Sequence, residues 1–243
     1  MKILIGIATF ERPQKLLRVL CSLLQQTHVD FDVYIAFDNN DKSGCEPVDQ
    51  WIIENNPHFQ INYTIMDKQG FVIRCWNMIC HDHMMPQLEY DGFMGLVDDV
   101  ELTPSALVNA VATLSKYYPD TDGVIGLKQE CPGHPNYTFK WFGQTLMGRK
   151  WIDRYKSVDH QICCPQYRHF FQDEEMYEYA SSLDKFIKCE NALLYHYHPA
   201  FAKNECDATH FIVRSNGKFN LDVEINRLRK LKGYVWGRNF NVI

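Results

Sequence analysis

Apolar residues in the first half of the chain come in short continuous runs, separated by segments with helical spacing. Residues 3–8 form a run of strand length that contains three isoleucines, which is typical of a strand covered on both faces of a sheet. Pro13 then suits the first turn of a helix, and leucines recur after it at helical spacing. The same patterns predict further strands over residues 31–37, 60–66 and 92–97, and further helices over residues 48–55, 70–83 and 104–117.

Strands that alternate with helices at this spacing predict an α/β fold with a doubly wound, mostly parallel sheet flanked by helices. Such sheets bind ligands in the crevice at the carboxyl ends of their strands. Polar segments follow each of the four predicted strands, at residues 9–12, 38–41, 67–70 and 98–101. The sequence therefore predicts one ligand site at this edge of the sheet.

The second half of the chain is less regular. Its pattern predicts strands over residues 139–147 and 189–197, and helices over residues 148–155, 173–187 and 221–232. The last helix carries a basic face that we expect to be exposed to solvent, formed by Arg227, Arg229, Lys230 and Lys232. No internal repeat or linker-like stretch interrupts the chain, so we expect a single domain over residues 1–243.

Composition and charge narrow the class of protein. The chain has 243 residues, of which 46% are hydrophobic, and this excludes a disordered chain. No apolar run is long enough to cross a membrane, and Glu11, Arg12 and Pro13 stand where a secretory signal needs small residues. Nine cysteines without a Cys-x-x-Cys pair favour reduced thiols. We therefore expect a cytoplasmic protein without stable membrane insertion.

The most informative motif is an acidic turn, formed by Asp98, Asp99 and Glu101, between an apolar strand and a helix. Adjacent carboxylates repel each other unless a cation neutralises them, and oxygen ligands suit Mg²⁺ or Mn²⁺ ions that bridge to phosphates. A solvated turn before a helix is the alternative, because acidic residues are favourable there. Asp38 and Asp67 end neighbouring strands, which favours the metal site. The glycine patterns of dinucleotide-binding folds and P-loops are missing.

Five segments, in the right order, resemble motifs of family 2 glycosyltransferases with the GT-A fold. They span residues 3 to about 200. The resemblance implies a GT-A-type sheet with a nucleotide-sugar-binding half over residues 1–117, a less regular acceptor-binding and catalytic half over residues 118–220, and a C-terminal helix and tail over residues 221–243. The segments are Thr9-Phe10-Glu11-Arg12-Pro13 before a leucine-rich helix, Asp38 after the second strand, the acidic turn, Gln172-Asp173-Glu174-Glu175-Met176, and residues 192–199, an apolar strand ending in histidines.

The resemblance implies an inverting, hexosyltransferase-type enzyme that moves a sugar from a nucleotide-diphosphate sugar to an acceptor hydroxyl. In this family the donor is most often a UDP-sugar. Breaking the bond to the diphosphate builds negative charge, which a divalent cation such as Mn²⁺ or Mg²⁺ stabilises. We expect Asp99 to bind the metal, with Glu101 as a weaker candidate. His196 and His198 lie on one face of a strand, so either can complete the coordination.

The acceptor hydroxyl needs a base, and Asp173 fits by its position in the motif. Nearby Phe170 and Phe171 raise the pKa of a carboxyl, whereas the start of a helix lowers it, so the sequence leaves the net direction open. The donor-binding residues implied by the strand ends and the resemblance are Thr9, Phe10, Glu11, Arg12, Asp38, Asp67, Gly70, Arg74, Asn77 and Asp98. Arg74 and Asn77 depart from the family, in which the two residues are adjacent.

Two other functions stay open at the level of sequence. A nucleotidyltransferase on a related fold normally carries a glycine-rich loop after the first strand, which residues 9–13 lack. A silent module that binds sugar nucleotides or glycans is the other alternative.

The acceptor is unidentified: a glycan, a lipid-linked glycan, a protein, a small molecule or a hydroxymethylated DNA base, the last disfavoured by the net charge of −5. We expect residues 131–171 to shape its pocket, with Trp141 and Trp151 available to stack on it or to pack in the core.

Overall fold

A computed structural model of the protein describes residues 1–134, 140–198 and 218–243, with the backbone alone described at residues 218 and 219. The strands within these ranges are β1 (Lys2–Thr9), β2 (Asp30–Phe37), β3 (Ile61–Ile65), β4 (Gly92–Val97), β5 (Val100–Leu102), β6 (Val124–Glu130), β7 (Thr145–Gly148) and β8 (Phe186–His196). The helices there are α1 (Pro13–Leu24), α2 (Cys45–Asn55), α3 (Phe71–Ile79), α4 (Ala106–Tyr117), α5 (Arg149–Ile152), α6 (Gln172–Ser182) and α7 (Lys218–Leu231).

The described strands form one sheet, in the order β3-β2-β1-β4-β7-β6-β8-β5. The first four in this order are parallel, and the register pairs Thr9 with Phe37 and Ala8 with Val97. The carboxyl ends of β1, β2 and β4 are therefore level. Asp38 and Asp98, which directly follow β2 and β4, consequently flank Thr9 at one edge of the sheet.

The other half of the sheet mixes both directions. Strand β7 is antiparallel to β4 and β6, whereas β8 is parallel to β6 and antiparallel to β5. The β5–β8 register sets Val100 opposite His196, and the amide of Tyr197 donates to the carbonyl of Asp99 at 2.9 Å. The end of β8 is thereby fixed against the acidic turn between β4 and β5.

Side-chain alternation along β1 divides the core into two layers. Ile3, Ile5 and Ile7 are fully buried in the layer that contains α1, α2 and α4. Leu4 and Ala8 face the opposite layer, which contains α3, α5 and α6. In α1, the buried positions Leu16, Val19, Leu20 and Leu23 follow the spacing of one helical face.

Several expectations for the second half were wrong. The strand predicted over residues 139–147 is confined to β7, with residue 139 outside the described ranges, and β6 was missed. The helix predicted to reach residue 187 ends at Ser182, because Asp184 adopts a left-handed conformation with φ of +55° and β8 begins at Phe186. For Trp151 the sequence left ligand stacking and core packing open, and its full burial confirms core packing. Arg229 is 0% exposed and so does not belong to the basic face expected at the surface, whereas Arg227, Lys230 and Lys232 are exposed as expected.

Within the described ranges, none of the helices combines the length and the apolar character needed to span a membrane.

Candidate active site

A cavity of about 270 Å³ opens at the carboxyl ends of β1, β2 and β4. We call it the acidic pocket. The start of α3, the segment before α6 and the end of β8 complete its wall. The residues predicted from the sequence that line it are Thr9, Phe10, Arg12, Asp38, Asp98, Asp99, Asp173, His196 and His198.

Asp98 is 3% exposed and links the first and fourth strands. Its Oδ2 accepts a hydrogen bond from Thr9 Oγ1 at 2.8 Å, and its Oδ1 pairs with Arg12 Nη1 at 2.8 Å. Burial raises the pKa of the Asp98 carboxyl, and the Arg12 guanidinium opposes that rise. Asp98 therefore holds Thr9 and Arg12 in place at the ends of the first and fourth strands.

Asp99 lies beside an oriented histidine. Asp99 Oδ1 is 3.4 Å from His196 Nε2, and the other ring nitrogen, Nδ1, lies 3.0 Å from Gln129 Oε1. The amide nitrogen of Gln129 donates to the carbonyl of Lys140, which fixes its oxygen toward the ring. An amide oxygen only accepts, so His196 donates to Gln129 from Nδ1, and Nε2 is the ring nitrogen directed toward Asp99.

This pair fits a divalent cation. Ligands of a six-coordinate ion with bonds of about 2.1 Å lie about 3 Å apart when their bonds meet at a right angle, close to the separation of Asp99 Oδ1 and His196 Nε2. No group of three or more His, Cys, Asp or Glu side chains among the described residues is arranged to hold a metal. Ions such as Mg²⁺ commonly use one or two protein ligands and take the remainder from substrate phosphates and water. The residues present therefore suit an ion that arrives with a phosphorylated ligand.

Asp173 also lines the acidic pocket, from the first turn of α6. Burial raises the pKa of its carboxyl to about 6, although the backbone amides at the start of the helix act to lower it. This settles the direction that the sequence left open: desolvation outweighs the helix terminus. Phe171, directly before the helix, adopts a left-handed conformation with φ of +71°, which is rare for an aromatic residue.

The Asp38 side chain binds backbone amides at the edge of the pocket. Its carboxylate accepts hydrogen bonds from the amides of Gly70 at 2.8 Å and Phe71 at 2.9 Å, and so it fixes the start of α3. Burial raises the pKa of Asp38, and the two amides lower it. Each carboxylate oxygen keeps a second lone pair, so these bonds are compatible with a ligand contact.

The remaining predicted residues lie outside the acidic pocket. Gly70, Arg74 and Asn77 line a second cavity of about 680 Å³, which shares Gln69 and Phe71 with the first. The side chain of Asn77 is bonded to the backbone of Cys163 through both its oxygen and its nitrogen. Asp67 is exposed and pairs with Arg74 at 2.7 Å. Glu11 is also exposed, and its backbone amide donates to Asp41. Glu101 accepts a hydrogen bond from Tyr197 Oη at 2.8 Å.

Sequence reasoning missed two glutamines at this site. Gln129 orients His196, and Gln144 lines the acidic pocket together with Gln172, which the sequence analysis names only as part of a motif. The signal for Gln129 was available, because residues 124–130 form an apolar run that becomes polar at its carboxyl end, as in β1, β2 and β4.

The acidic pocket thus combines a carboxylate–imidazole pair, a carboxyl whose pKa lies near neutrality and the single arginine Arg12. Among the described residues in its wall, Arg12 is the only arginine or lysine, against the carboxyls of Asp38, Asp98, Asp99 and Asp173. A phosphorylated ligand needs a metal cation to enter such a pocket favourably. With that cation bound, the site has the groups for displacement at a phosphorylated carbon, assisted by a base.

Comparison of the sequence with models of protein families and with curated proteins gives no match. Comparison of the fold with solved structures gives many. Residues 1–349 of TarS from S. aureus superpose with a TM-score of 0.61 at 14% identity, over 96% of this chain and 78% of that one. The same fragment in complex with UDP gives a TM-score of 0.62 at 14% identity, over 95% and 72%.

The mannosyltransferase PcManGT from Pyrobaculum calidifontis, in complex with GDP-Man and Mn²⁺, superposes with a TM-score of 0.61. It is 10% identical, and the match covers 98% of this chain and 77% of that one. At these identities the likeness shows the fold. The chain has a GT-A-like α/β fold, which confirms the fold class expected from its sequence, while membership of family 2 stays a prediction based on the motifs.

Proposed function

We propose that the protein is a glycosyltransferase that transfers a sugar from a nucleotide-diphosphate sugar, in the first instance a UDP-sugar, to an acceptor hydroxyl. The observation that carries this proposal is the meeting of Asp99, His196 and Asp173 in one pocket at the ends of the strands. The first two suit a cation on a diphosphate, and the third suits a base. The solved relatives that bind UDP, or GDP-Man with Mn²⁺, support the same class of donor.

In this proposal the donor lies along the edge of β1, β2 and β4. Thr9 and Arg12 are both bonded to buried Asp98, and the three residues shape the wall on which the nucleotide rests. Asp99 and His196 hold a Mn²⁺ or Mg²⁺ ion, which when bound stabilises the negative charge of the departing diphosphate. Gln129 keeps His196 Nε2 directed toward Asp99.

Asp173 acts on the acceptor. Its ionised carboxylate takes the proton of the attacking hydroxyl while the oxygen of that hydroxyl bonds to the anomeric carbon of the sugar. The bond from that carbon to the diphosphate oxygen breaks in the same displacement, and the electron pair leaves with the diphosphate. A direct displacement of this kind inverts the anomeric centre. One domain over residues 1–243 and a cytoplasmic location belong to the proposal as predictions from the sequence.

The test is donor hydrolysis in the absence of acceptor. The protein is incubated with Mn²⁺ and a panel of UDP- and GDP-sugars, and release of the nucleoside diphosphate is measured. We expect slow release from one donor, lost on addition of EDTA and lowered about 100-fold or more by Asp99→Asn. Asp30→Asn, which removes an exposed carboxylate far from the pocket, is the matched control and should be unchanged.

A second variant separates the base from the donor site. Asp173→Asn should bind the nucleoside diphosphate with Mn²⁺ as the wild type does, and should lose transfer once an acceptor is found. Absence of donor binding and of metal dependence in the wild type would refute the transferase proposal and would favour a silent module that binds glycans. Transfer by Asp173→Asn at a near-normal rate would show that another group is the base.

A further inference from the structure

Helix α7 carries two buried charged residues on one face. Asp222 and Arg229 are both 0% exposed, and their spacing of seven positions corresponds to about two helical turns, so both side chains point to the same side. That side packs against the segment before α6 and the first turn of α6. Asp173 lies in that first turn of α6.

Asp222 binds three consecutive backbone amides. Its Oδ1 accepts from Arg168 N at 2.9 Å, and its Oδ2 accepts from His169 N at 2.8 Å and Phe170 N at 2.9 Å. Hydrogen bonds to an ionised carboxylate are about twice as strong as neutral ones. His169 and Phe170 line the acidic pocket, so their hydrogen bonds to Asp222 hold this part of the pocket wall in place.

Arg229 binds the helix on the other side of Asp173. Its Nε donates to Glu175 Oε1 at 2.7 Å and its Nη2 to Glu175 Oε2 at 3.2 Å. Glu175 is 1% exposed, and its carboxylate also accepts from Tyr167 Oη at 2.9 Å and Trp236 N at 3.1 Å. A buried ion pair with its hydrogen bonds satisfied is costly to break from one side, because the remaining charge is left without a partner.

The two contacts bracket the proposed base. Asp173 lies three residues after Phe170, the last amide bound by Asp222, and two residues before Glu175. Between them, Phe171 holds its left-handed conformation, with φ of +71°. Such a conformation persists only where its surroundings impose it, and here the bonds on both sides do so.

We propose that Asp222 and Arg229 are positioning residues, which act through the segment 168–175 to set the place of Asp173 in the acidic pocket. The proposal rests on the function proposed above. It gives α7 a role in the transfer step that its distance from the strand ends does not suggest. Neither residue touches the donor; each acts through backbone amides or through Glu175.

The variants are Asp222→Asn and Arg229→Lys, with controls on the same helix. Asparagine keeps the shape of Asp222 but presents an NH₂ group to at least one backbone N–H, and lysine keeps the charge of Arg229 without its two-pronged contact. Glu224→Gln and Arg227→Lys alter the exposed Glu224–Arg227 pair and are the matched controls. Thermal unfolding of all four establishes that each is folded. Should Asp222→Asn fail to fold, Arg229→Lys alone serves the test.

Three quantities are compared with the wild type. The variants should bind UDP or GDP, whichever the wild type binds with Mn²⁺, with an affinity within about threefold of the wild type. Their transfer rate should fall about 10- to 100-fold. Until an acceptor is known, the rate of donor hydrolysis is measured in place of the transfer rate. Hydrogen exchange at the amides of residues 168–170 should accelerate at least about tenfold in Asp222→Asn. The control variants should match the wild type in all three.

The outcomes separate this proposal from the proposed function. A wild type that binds no nucleoside diphosphate refutes the glycosyltransferase proposal, and a positioning role in transfer falls with it. A wild type that is active, together with normal exchange of residues 168–170 in Asp222→Asn or a full rate in either variant, refutes the positioning role alone. Equal losses of binding and rate also refute it, since they indicate general damage to the pocket.

Discussion

Replacing Asp173 by asparagine is expected to stabilise the folded protein at neutral pH. Burial raises the pKa of this carboxyl from 3.8 to about 6, so the folded protein holds the ionised form at a cost. That rise corresponds to about 3 kcal/mol. The side chain is only half-buried, so we discount the figure for screening by water to about 2 kcal/mol. Asparagine has the same shape, carries no charge and keeps one oxygen for the amides of α6.

The sign of the effect fixes its pH dependence. Because the pKa is higher in the folded than in the unfolded state, the unfolded chain releases this proton first as the pH rises, and the wild type loses stability between about pH 4 and 6. Below that range both states are protonated, and the substitution brings no advantage. Above it the full difference of about 2 kcal/mol applies, equivalent to about 4–8 °C in Tm for a chain of this length.

The assay is urea unfolding of the wild type and Asp173→Asn at intervals from pH 4.5 to 8, with Asp30→Asn as the control for an exposed carboxylate. We expect the difference in unfolding free energy to grow with pH and to level off above about pH 6. A variant less stable than the wild type at pH 7.5, or a difference that does not change with pH, would refute the inference that desolvation dominates at Asp173.

Further predictions concern the other residues of the pocket. Gln129→Leu removes the group that accepts the hydrogen bond of His196 Nδ1. It should weaken Mn²⁺ binding in the presence of UDP by about 10- to 100-fold in calorimetric titration. Unchanged affinity would argue against His196 as a ligand. Arg12→Met leaves buried Asp98 without its cation and should lower the unfolding free energy by about 3–5 kcal/mol in urea; a loss below about 1 kcal/mol would contradict the buried pair. With Asp173 as the base, the transfer rate should rise with pH through about 6, whereas a rise centred near pH 4 would assign the step to another group.

The first half of the fold was predictable because its strands are central. The strands β1, β2 and β4 are covered on both faces, which gives continuous apolar runs that end in polar residues. Parallel strands end at one edge, so Thr9, Asp38 and Asp98 were placed together without any contact information. Strand β7 has four residues and antiparallel partners from distant parts of the chain, so its pattern is too short to define its limits.

The site was predictable where a residue directly follows a central strand, and less so elsewhere. Asp67 follows the edge strand β3 and turns to solvent, where Arg74 pairs with it. Arg229 was expected at the surface because its neighbours Arg227 and Lys230 are charged. Its partner Glu175 is 54 residues away, and periodicity within one helix carries no information on such a pair.

The central claim is that the acidic turn binds a cation against a diphosphate at the ends of the strands. It is tested most directly by crystals grown with Mn²⁺ and UDP, measured at the manganese absorption edge. We predict one anomalous peak within about 2.5 Å of a carboxylate oxygen of Asp99 and of His196 Nε2, in contact with the diphosphate. A diphosphate bound in the acidic pocket with no peak there, or a manganese ion bound away from Asp99, would contradict the account.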